Sequence, residues 1–170
     1  PSLGGRNVQD ALLEPTRIYV KQVRAAVADN PGAVHALAHI TGGGISENLN
    51  RALPEGLDAR VNVGTWTREP IIPFVCAAAN LNEVEALKTF NMGLGMILIV
   101  DPAQADAVKA SLEAAGETVF NVGTVEKGSG EVRYSNMDAL FPVLPSDDNV
   151  PESPAVPDPA DRTSERDVYY

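Results

Sequence analysis

The sequence predicts an α/β or α+β domain in which helices pack on a sheet. Segments typical of strands alternate with segments typical of helices between residues 7 and 134, and glycine, proline or asparagine separates most of them. The chain has 170 residues, of which 44% are hydrophobic and 21% charged, as in a globular protein with one core. We therefore expect one domain over residues 1–141 and a separate tail over residues 142–170.

The first elements are predicted to be a helix, a strand and a second helix. Asn7 can cap a short helix over residues 8–13. Residues 17–21, with the sequence RIYVK, favour a strand because isoleucine, tyrosine and valine have high strand propensity. Residues 22–28 favour a helix that ends before a Pro-Gly turn.

A buried strand, a helix and a half-buried strand are expected next. The run VHALAHI, residues 34–40, is short and apolar and lies between Pro-Gly and three glycines, which suits a buried strand better than a helix. Residues 45–53 favour a helix that Pro54 ends. Apolar and polar side chains alternate over residues 57–63, as they do along a strand with one face in the core.

Two further helices, over residues 70–79 and 82–90, precede the most apolar segment of the chain. That segment, residues 94–100, contains GMILIV and is predicted to be a central strand of the sheet. A helix follows over residues 103–115, and its apolar residues recur four positions apart on one face.

The end of the domain is predicted to be a hairpin, which a tail follows. Residues 118–125 and 131–134 favour strands, and the Gly-Ser-Gly sequence between them favours a turn. Residues 142–170 contain six prolines and seven acidic residues and carry half of the net charge. Such a segment buries too little apolar surface to offset its ordering entropy, so we expect an extended, flexible tail.

Charge and apolar content argue against several classes of partner. The net charge of −10 repels phosphate backbones and anionic lipid surfaces, so neither nucleic acid nor a membrane is expected as a partner. No run approaches the roughly 18 apolar residues of a spanning helix, and no targeting signal is apparent, so we expect a cytoplasmic protein. Pro1 is no initiator, and we expect a further portion of the protein before it.

Three consecutive glycines, Gly42, Gly43 and Gly44, separate a predicted strand from the helix that follows. Glycines can adopt positive φ and expose their N–H groups, and the helix start adds partial positive charge, so such a loop favours phosphate or carboxylate. Thr41 could add its hydroxyl, and Ser46 could cap the helix. The spacing matches neither a Walker A loop nor a dinucleotide fingerprint, and a tight turn without a ligand explains the glycines equally well.

The chain has two histidines, His35 and His39, and one cysteine, Cys76. On a strand the histidines share a face but lie about 13 Å apart, too far to hold one ion, so no metal site is expected. His39 is next to the glycine loop, which makes it the better candidate for handling a proton. Cys76 has small and apolar neighbours and is expected to be a buried, inert thiol.

A second glycine pair, Gly93 and Gly95, lies in FNMGLGMILIV at the start of the most apolar strand. Glycine at such a position permits a close approach of backbone or ligand, or a bulge. Asn91 is a polar side chain nearby, and capping a helix is the alternative to a role in a site.

Three motifs in this order, LLEPTRIYVK, AHITGGGISENLNRALP and FNMGLGMILIV, resemble the C-terminal domain of the aminoimidazole ribonucleotide synthetase family. Its enzymes are also called phosphoribosylformylglycinamidine cyclo-ligases, and the resemblance covers roughly residues 1–134. The resemblance implies a homodimeric enzyme of purine biosynthesis that uses ATP to close the imidazole ring of formylglycinamidine ribonucleotide. It also implies that ATP and Mg²⁺ bind mainly to the enzyme's own N-terminal domain, so no cofactor is expected on this chain alone.

The resemblance further implies which residues bind the substrate, and it draws on all three motifs. They are Arg17, Thr41, Gly42, Gly43, Gly44, Asn91, Gly93 and Gly95. His39, just behind the loop, is the candidate catalytic residue. The alternatives are a stand-alone module that binds a phosphometabolite and a domain of a related ATP-using enzyme, such as formylglycinamidine synthetase or selenophosphate synthetase.

Overall fold

The computed structural model describes Leu3 and residues 5–141, and it confirms the predicted α+β class. The elements in chain order are α1 (Val8–Leu12), α2 (Val20–Asp29), β1 (Val34–His39), α3 (Gly44–Ala52), β2 (Leu57–Asn62), α4 (Ile71–Ala78), α5 (Glu83–Thr89), β3 (Met96–Val100), a 3-10 turn (Pro102–Gln104), α6 (Ala105–Ala114), β4 (Gly123–Lys127), β5 (Val132–Ser135) and a second 3-10 turn (Met137–Ala139). The predicted tail over residues 142–170 lies outside the described residues.

Two of the strands form an antiparallel pair that helices cover on one face and, on the other face, cover only in part, since Leu37 of β1 is 46% exposed there. The register of β1 and β3 places His39 opposite Met96. On one face Ala38 and Ile97 pack with side chains of α3 and α5, and on the other Leu98 packs with side chains of α2 and α6. Because two strands alone are marginally stable in water, the helices on both faces are what hold this pair.

The predicted central strand, residues 94–100, corresponds to β3, and its expected position in the sheet is wrong. Within the described part of the chain, β1 is the one strand that pairs with β3. The prediction took a continuous apolar run as a sign of strands on both sides. Helices on both faces bury the run instead, and this produces the same apolar pattern.

The remaining strands form a sheet in the order β4-β2-β5, and the predicted hairpin is wrong. β2 is antiparallel to β4 and parallel to β5, so it lies between the two strands predicted to pair. At Gly123 an added Cβ would lie 1.8 Å from the carbonyl oxygen of Arg60, so β4 and β2 approach each other closely there. Residues 118–122, predicted as part of the hairpin, precede β4 and belong to no strand.

The connection from β4 to β5 crosses the first residues of β2, where the buried side chain of Asp58 holds it. Asp58 Oδ1 accepts hydrogen bonds from three consecutive N–H groups, those of Ser129, Gly130 and Glu131, at 2.7, 2.9 and 2.9 Å. Arg133 Nη2 lies 3.0 Å from the other carboxylate oxygen. Since Asp58 is only 2% exposed, these partners are what make its buried charge tolerable.

Residues 17–21, predicted to be a strand, do not form one. The chain is irregular up to Tyr19, and α2 begins at Val20. The segment is held by side-chain contacts with distant residues, since Arg17 bonds to the loop after α6 and Tyr19 packs against Gly95. Strand propensity has no effect here because none of the described strands pairs with the segment.

Other local predictions are confirmed. The side chain of Asn7 caps α1 and accepts a hydrogen bond from the N–H of Asp10 at 2.8 Å. Cys76 is a free thiol buried in α4, and burial raises its pKa. Among the described helices, none has the length and apolar content needed to cross a membrane.

Asp58→Asn should lower the thermal unfolding midpoint at neutral pH. The N–H of Glu131 is the largest influence that lowers the pKa of Asp58, with further contributions from Ser129, Arg133 and Gly130, while burial opposes them. Because the pKa of Asp58 is lower in the folded than in the unfolded state, its charge stabilises the folded state above the unfolded-state pKa of about 3.9. This stabilisation is lost as the pH falls through the folded-state pKa. The difference in thermal unfolding midpoint between Asp58→Asn and wild type, measured by circular dichroism, should therefore become smaller below about pH 4.

Glu55→Gln is the matched control, because it removes an exposed carboxylate from the loop before β2. It should change the midpoint little at any pH in this series. A loss for Asp58→Asn that is equally large at neutral and acidic pH would show that the charge of Asp58 does not hold the connection.

Candidate functional site

A cleft of about 450 Å³ lies where the end of β1 meets the start of β3. Its lining draws on all three sequence motifs and consists of Glu14, Pro15, Thr16, Arg17, Tyr19, His39, Ile40, Thr41, Asn91 and Gly95. The fold thus brings together five predicted site residues, which are Arg17, His39, Thr41, Asn91 and Gly95. The other four predicted site residues lie outside the lining, and they are Gly42, Gly43, Gly44 and Gly93.

The pairing of β1 with β3 explains why distant parts of the chain meet here. In an antiparallel pair the end of one strand lies beside the start of the other. His39 is opposite Met96, and just beyond this pair the N–H of Ile40 donates to the carbonyl oxygen of Gly95 at 2.9 Å. The loops that carry the two glycine motifs therefore leave the sheet side by side.

The segment before α2 forms one wall of the cleft. Arg17 Nη2 donates to the carbonyl oxygen of Gly116 at 3.1 Å, and Arg17 Nε lies 2.9 Å from a carboxylate oxygen of Glu117. The ring of Tyr19 meets His39 edge to face, with the ring centroids 6.1 Å apart. Burial raises the pKa of Tyr19 and Glu117 raises it further, while Arg17 acts in the opposite direction. Arg17 remains exposed, so its guanidinium can also face an anion in the cleft.

Gly95 leaves room for a side chain that approaches its backbone closely. A Cβ added to Gly95 would lie 1.7 Å from Oη of Tyr19. The sequence predicted a close approach of backbone or ligand, or a bulge, and the group that approaches is instead the side chain of Tyr19. Tyr19 was not among the predicted site residues. No local signal could have identified it, because the contact joins segments far apart in the chain.

The three consecutive glycines have different roles in the structure. Gly44 has φ +61°, and its added Cβ would lie 1.9 Å from the carbonyl oxygen of Leu87, where α3 packs on α5. Gly43 has φ +93°, and its added Cβ would collide with the carboxylate of Glu47. Gly42 has no atom within 4 Å of an added Cβ. The tight-turn explanation therefore applies to Gly43 and Gly44, and Gly42 is where a ligand has room to approach the backbone.

The loop has N–H groups that the rest of the described backbone does not use. The N–H of Gly44 donates to the carbonyl oxygen of Thr41 at 3.0 Å, and that of Glu47 to Gly43 at 3.3 Å. Among the described residues, no backbone carbonyl accepts from the N–H groups of Thr41, Gly42 or Gly43. At the start of a helix such groups can donate to an anion.

Two polar side chains of α3 differ from expectation. Ser46 does not cap the helix, because Gly43 holds the cap position and the Ser46 hydroxyl bonds to Oη of Tyr134 at 2.7 Å. Asn48, which the sequence analysis missed, is buried and donates to carbonyl oxygens of the glycine loop. The signal for Asn48 was a polar residue among the apolar, inward positions of a helix, because a buried amide needs hydrogen-bond partners.

The loop before β3 is shaped by its own hydrogen bonds. Oδ1 of Asn91 accepts from the N–H of Gly93 at 3.0 Å, so Asn91 stabilises a turn and does not cap a helix. Trp66 Nε1 donates to the carbonyl oxygen of Met92 at 2.8 Å, and Met92 itself has φ +53°. These contacts hold Asn91 at the cleft and leave Gly93 outside its lining.

An apolar concavity of about 460 Å³ adjoins the cleft and shares Arg17, Tyr19 and His39 with it. The rest of its lining consists of Ile18, Val20, Val23, Arg24 and Met96. Ile18 is 76% exposed and Val20 is 60% exposed. Large apolar side chains exposed side by side are typical of a surface that contacts another protein or domain.

The chemistry that the cleft offers is charge and hydrogen bonding. Arg17 supplies positive charge, Thr41 a hydroxyl and His39 an imidazole. His35 and His39 lie on β1, as predicted. Over the described residues, no group of three or more His, Cys, Asp and Glu side chains is placed to hold a metal ion. Because the lining also holds Glu14, and Arg17 is paired with Glu117, the arrangement suits a polar molecule with the imidazole beside it.

Comparisons with known proteins agree with the motifs. Residues 1–135 match a family model described as AIR synthase related protein, C-terminal domain. A phosphoribosylformylglycinamidine cyclo-ligase of Brevibacillus brevis is 43% identical over 134 residues, which cover 79% of this chain and 38% of the relative. A protein of the same name from Aromatoleum aromaticum is 46% identical over 122 residues, which cover 72% of this chain and 35% of the relative.

A solved structure has the same fold. The crystal structure of E. coli HypE, a hydrogenase maturation protein, matches with a TM-score of 0.56 and 23% identity over 75% of this chain and 40% of that one. At this identity the likeness concerns the fold alone. The chain thus spans 38% and 35% of the length of these two cyclo-ligases and 40% of that of HypE.

Gly44→Ala and Gly42→Ala should separate the two roles in the glycine loop. Gly44→Ala places a methyl group against the backbone of Leu87 at positive φ, and we expect a loss of about 2 kcal/mol or more in the free energy of unfolding. Gly42→Ala has open space and should stay within about 0.5 kcal/mol of wild type in denaturant unfolding. Equal losses for the two variants would contradict these roles.

Gly95→Ala should destabilise the domain by about 1 kcal/mol, because the new methyl group displaces the hydroxyl end of the Tyr19 side chain and no backbone atom. In a Tyr19→Ala background the same substitution should cost less, since the side chain that it strikes is gone. A double-mutant cycle measured by denaturant unfolding gives the interaction free energy between the two substitutions. An unchanged cost in the Tyr19→Ala background would rule out the contact as the reason for glycine.

Proposed function

The chain belongs to the family of AIR synthase related protein C-terminal domains, and we propose that it is the C-terminal half of an ATP-dependent phosphoribosylformylglycinamidine cyclo-ligase. The proposed enzyme converts formylglycinamidine ribonucleotide to aminoimidazole ribonucleotide in de novo purine biosynthesis. Two relatives with that name at 43% and 46% identity support this. The structural observation that carries the proposal is the convergence of three separate sequence motifs on one cleft.

We assign the substrate's phosphate to the mouth of the glycine loop. Gly42 and Gly43 offer backbone N–H groups, Thr41 a hydroxyl and Arg17 a positive charge. Asn91 lies in the lining and can bond to a polar part of the substrate. The other predicted substrate-binding residues shape the site through backbone geometry and packing, and they are Gly44, Gly93 and Gly95.

The proposed reaction begins with transfer of a phosphoryl group from ATP to the formyl oxygen of the substrate. The amidine nitrogen then attacks the formyl carbon, and the bond from that carbon to the phosphorylated oxygen breaks, so that phosphate leaves as the ring closes. Enzymes accelerate such steps mainly by positioning the reactants and by stabilising negative charge, and the loop and Arg17 are suited to both. His39 borders the same cleft, and its imidazole is our candidate for removing a proton from the attacking nitrogen.

ATP and Mg²⁺ are assigned to another part of the enzyme. Residues 5–141 have no cluster of His, Cys, Asp and Glu side chains that fits a metal ion, so we assign no step to a metal on this domain. The exposed Ile18 and Val20 beside the cleft suit contact with the N-terminal domain of the same enzyme. We further propose that the complete enzyme is a homodimer in the cytoplasm.

The complete protein should release ADP only when formylglycinamidine ribonucleotide is present, and the isolated chain should show no turnover. Within the complete protein, Thr41→Val should raise KM for the ribonucleotide by about tenfold, because it removes a hydroxyl and preserves shape. A coupled assay for ADP gives both the rate of ADP release and KM for the ribonucleotide. The thermal unfolding midpoint shows whether the variant stays folded.

Thr118→Val is the matched control, because Thr118 is exposed and lies outside the cleft. Its KM should equal that of wild type. Ring closure by the isolated chain would refute the assignment of ATP to another domain. An unchanged KM for Thr41→Val would remove Thr41 from the phosphate site.

A further inference from the structure

We propose that Asn48 and Arg51 are positioning residues that keep the N–H groups of the glycine loop turned toward the phosphate of the substrate. This inference rests on the proposed function, since it takes the loop as the site of that phosphate. The Asn48 side chain bonds to loop carbonyl groups and Arg51 bonds to Asn48, so both act through the loop backbone and not by touching the substrate.

The side-chain amide of Asn48 lies among the carbonyl groups of the loop. Its Nδ2 donates to the carbonyl oxygens of Thr41 and Gly42 at 3.2 Å each, and to that of Gly44 at 2.8 Å. Asn48 is 9% exposed, so water contributes little to satisfying this amide. One buried NH₂ group with two hydrogens thus joins three carbonyl oxygens of the loop to the helix that follows.

Arg51 determines which end of the Asn48 amide faces the loop. Its Nη2 donates to Oδ1 of Asn48 at 2.8 Å, and its Nε donates to the carbonyl oxygen of Glu47 at 3.2 Å. A guanidinium can donate but cannot accept, so it selects the orientation in which Oδ1 faces Arg51. The NH₂ group is then left to face the loop carbonyls.

The direction of the carbonyl groups determines the direction of the N–H groups. In a trans peptide unit the C=O and N–H bonds point in opposite directions, and the carbonyl of each residue shares a unit with the next N–H. The carbonyls of Thr41 and Gly42 point at Asn48. The N–H groups of Gly42 and Gly43 therefore point away from Asn48, and within residues 5–141 no backbone carbonyl accepts from them.

This arrangement removes the main disadvantage of a glycine-rich binding loop. Glycine has more conformational freedom than any other residue, and a loop that must be ordered during binding weakens affinity. The contacts of Asn48 order the loop before the substrate arrives. Loss of Asn48 should therefore weaken substrate binding more than it slows the chemical step.

The test uses the complete enzyme with Asn48→Ala and Arg51→Met. We measure kcat and KM for formylglycinamidine ribonucleotide and the inhibition constant of inorganic phosphate. We expect KM and the inhibition constant to rise together, by about tenfold for Asn48→Ala and by less for Arg51→Met, while kcat changes less than KM. Arg51 is exposed, so its variant should remain folded and usable even if Asn48→Ala does not.

Asn30→Ala is the matched control for a buried amide. Asn30 is 8% exposed and donates to the carbonyl oxygen of Ala26 and the hydroxyl of Ser111, among α2 and α6 and away from the loop. It should lower the unfolding midpoint as Asn48→Ala does, with KM unchanged. Arg60→Met is the corresponding control for Arg51, because Arg60 is an exposed arginine on β2 that pairs with Glu126.

The outcomes separate this inference from the proposed function. If wild type turns over the ribonucleotide and both variants keep the KM of their controls, the positioning role is overturned and the proposed function stands. If wild type does not turn over the ribonucleotide, the proposed function and the positioning role are overturned together. A rise in KM confined to Asn48→Ala and Arg51→Met supports both.

Discussion

The antiparallel pairing of β1 with β3 is the constraint on which the rest of this structure depends. It places His39 opposite Met96 and joins Ile40 to Gly95, so the two glycine motifs leave the sheet at the same end. Two strands alone cannot bury their apolar side chains. The helices α3 and α5 pack on one face of the pair, and α2 and α6 pack on the other. The strand pair thus sets the positions of the loops that line the cleft, whereas the helices on its faces stabilise the pair.

Close packing against glycine recurs at several places and explains much of what the motifs contain. Leu87 packs against Gly44, Tyr19 against Gly95 and Asp58 against Gly128, where an added Cβ would lie 2.0 Å from the carboxylate carbon. These glycines serve the approach of another group of the same chain. Gly42 differs, because the space beside it is open. A glycine-rich motif is thus a poor guide to a binding site until each glycine has been placed in the fold.

Elements with local signals were predictable from the sequence. The Asn7 side chain caps α1, and α3 ends before Pro54, because caps and breakers act on the residues next to them. The predicted strand over residues 17–21 and the predicted hairpin failed for a common reason. Strand propensity requires a partner, and the partner of both β4 and β5 is β2, far away in sequence.

By itself the sequence determined the fold class, the order of most elements and the three motifs that identify the family. Five of the nine residues that it singled out meet in the cleft, because they belong to the three motifs that converge there. Only the tertiary structure decided which strands pair, which glycines are closely packed and that Gly42 has open space beside it. It also revealed Tyr19 and Asn48, whose roles come from contacts. The physical reason is that caps, turns and periodicity are local, whereas pairing and close packing join residues that the sequence keeps apart.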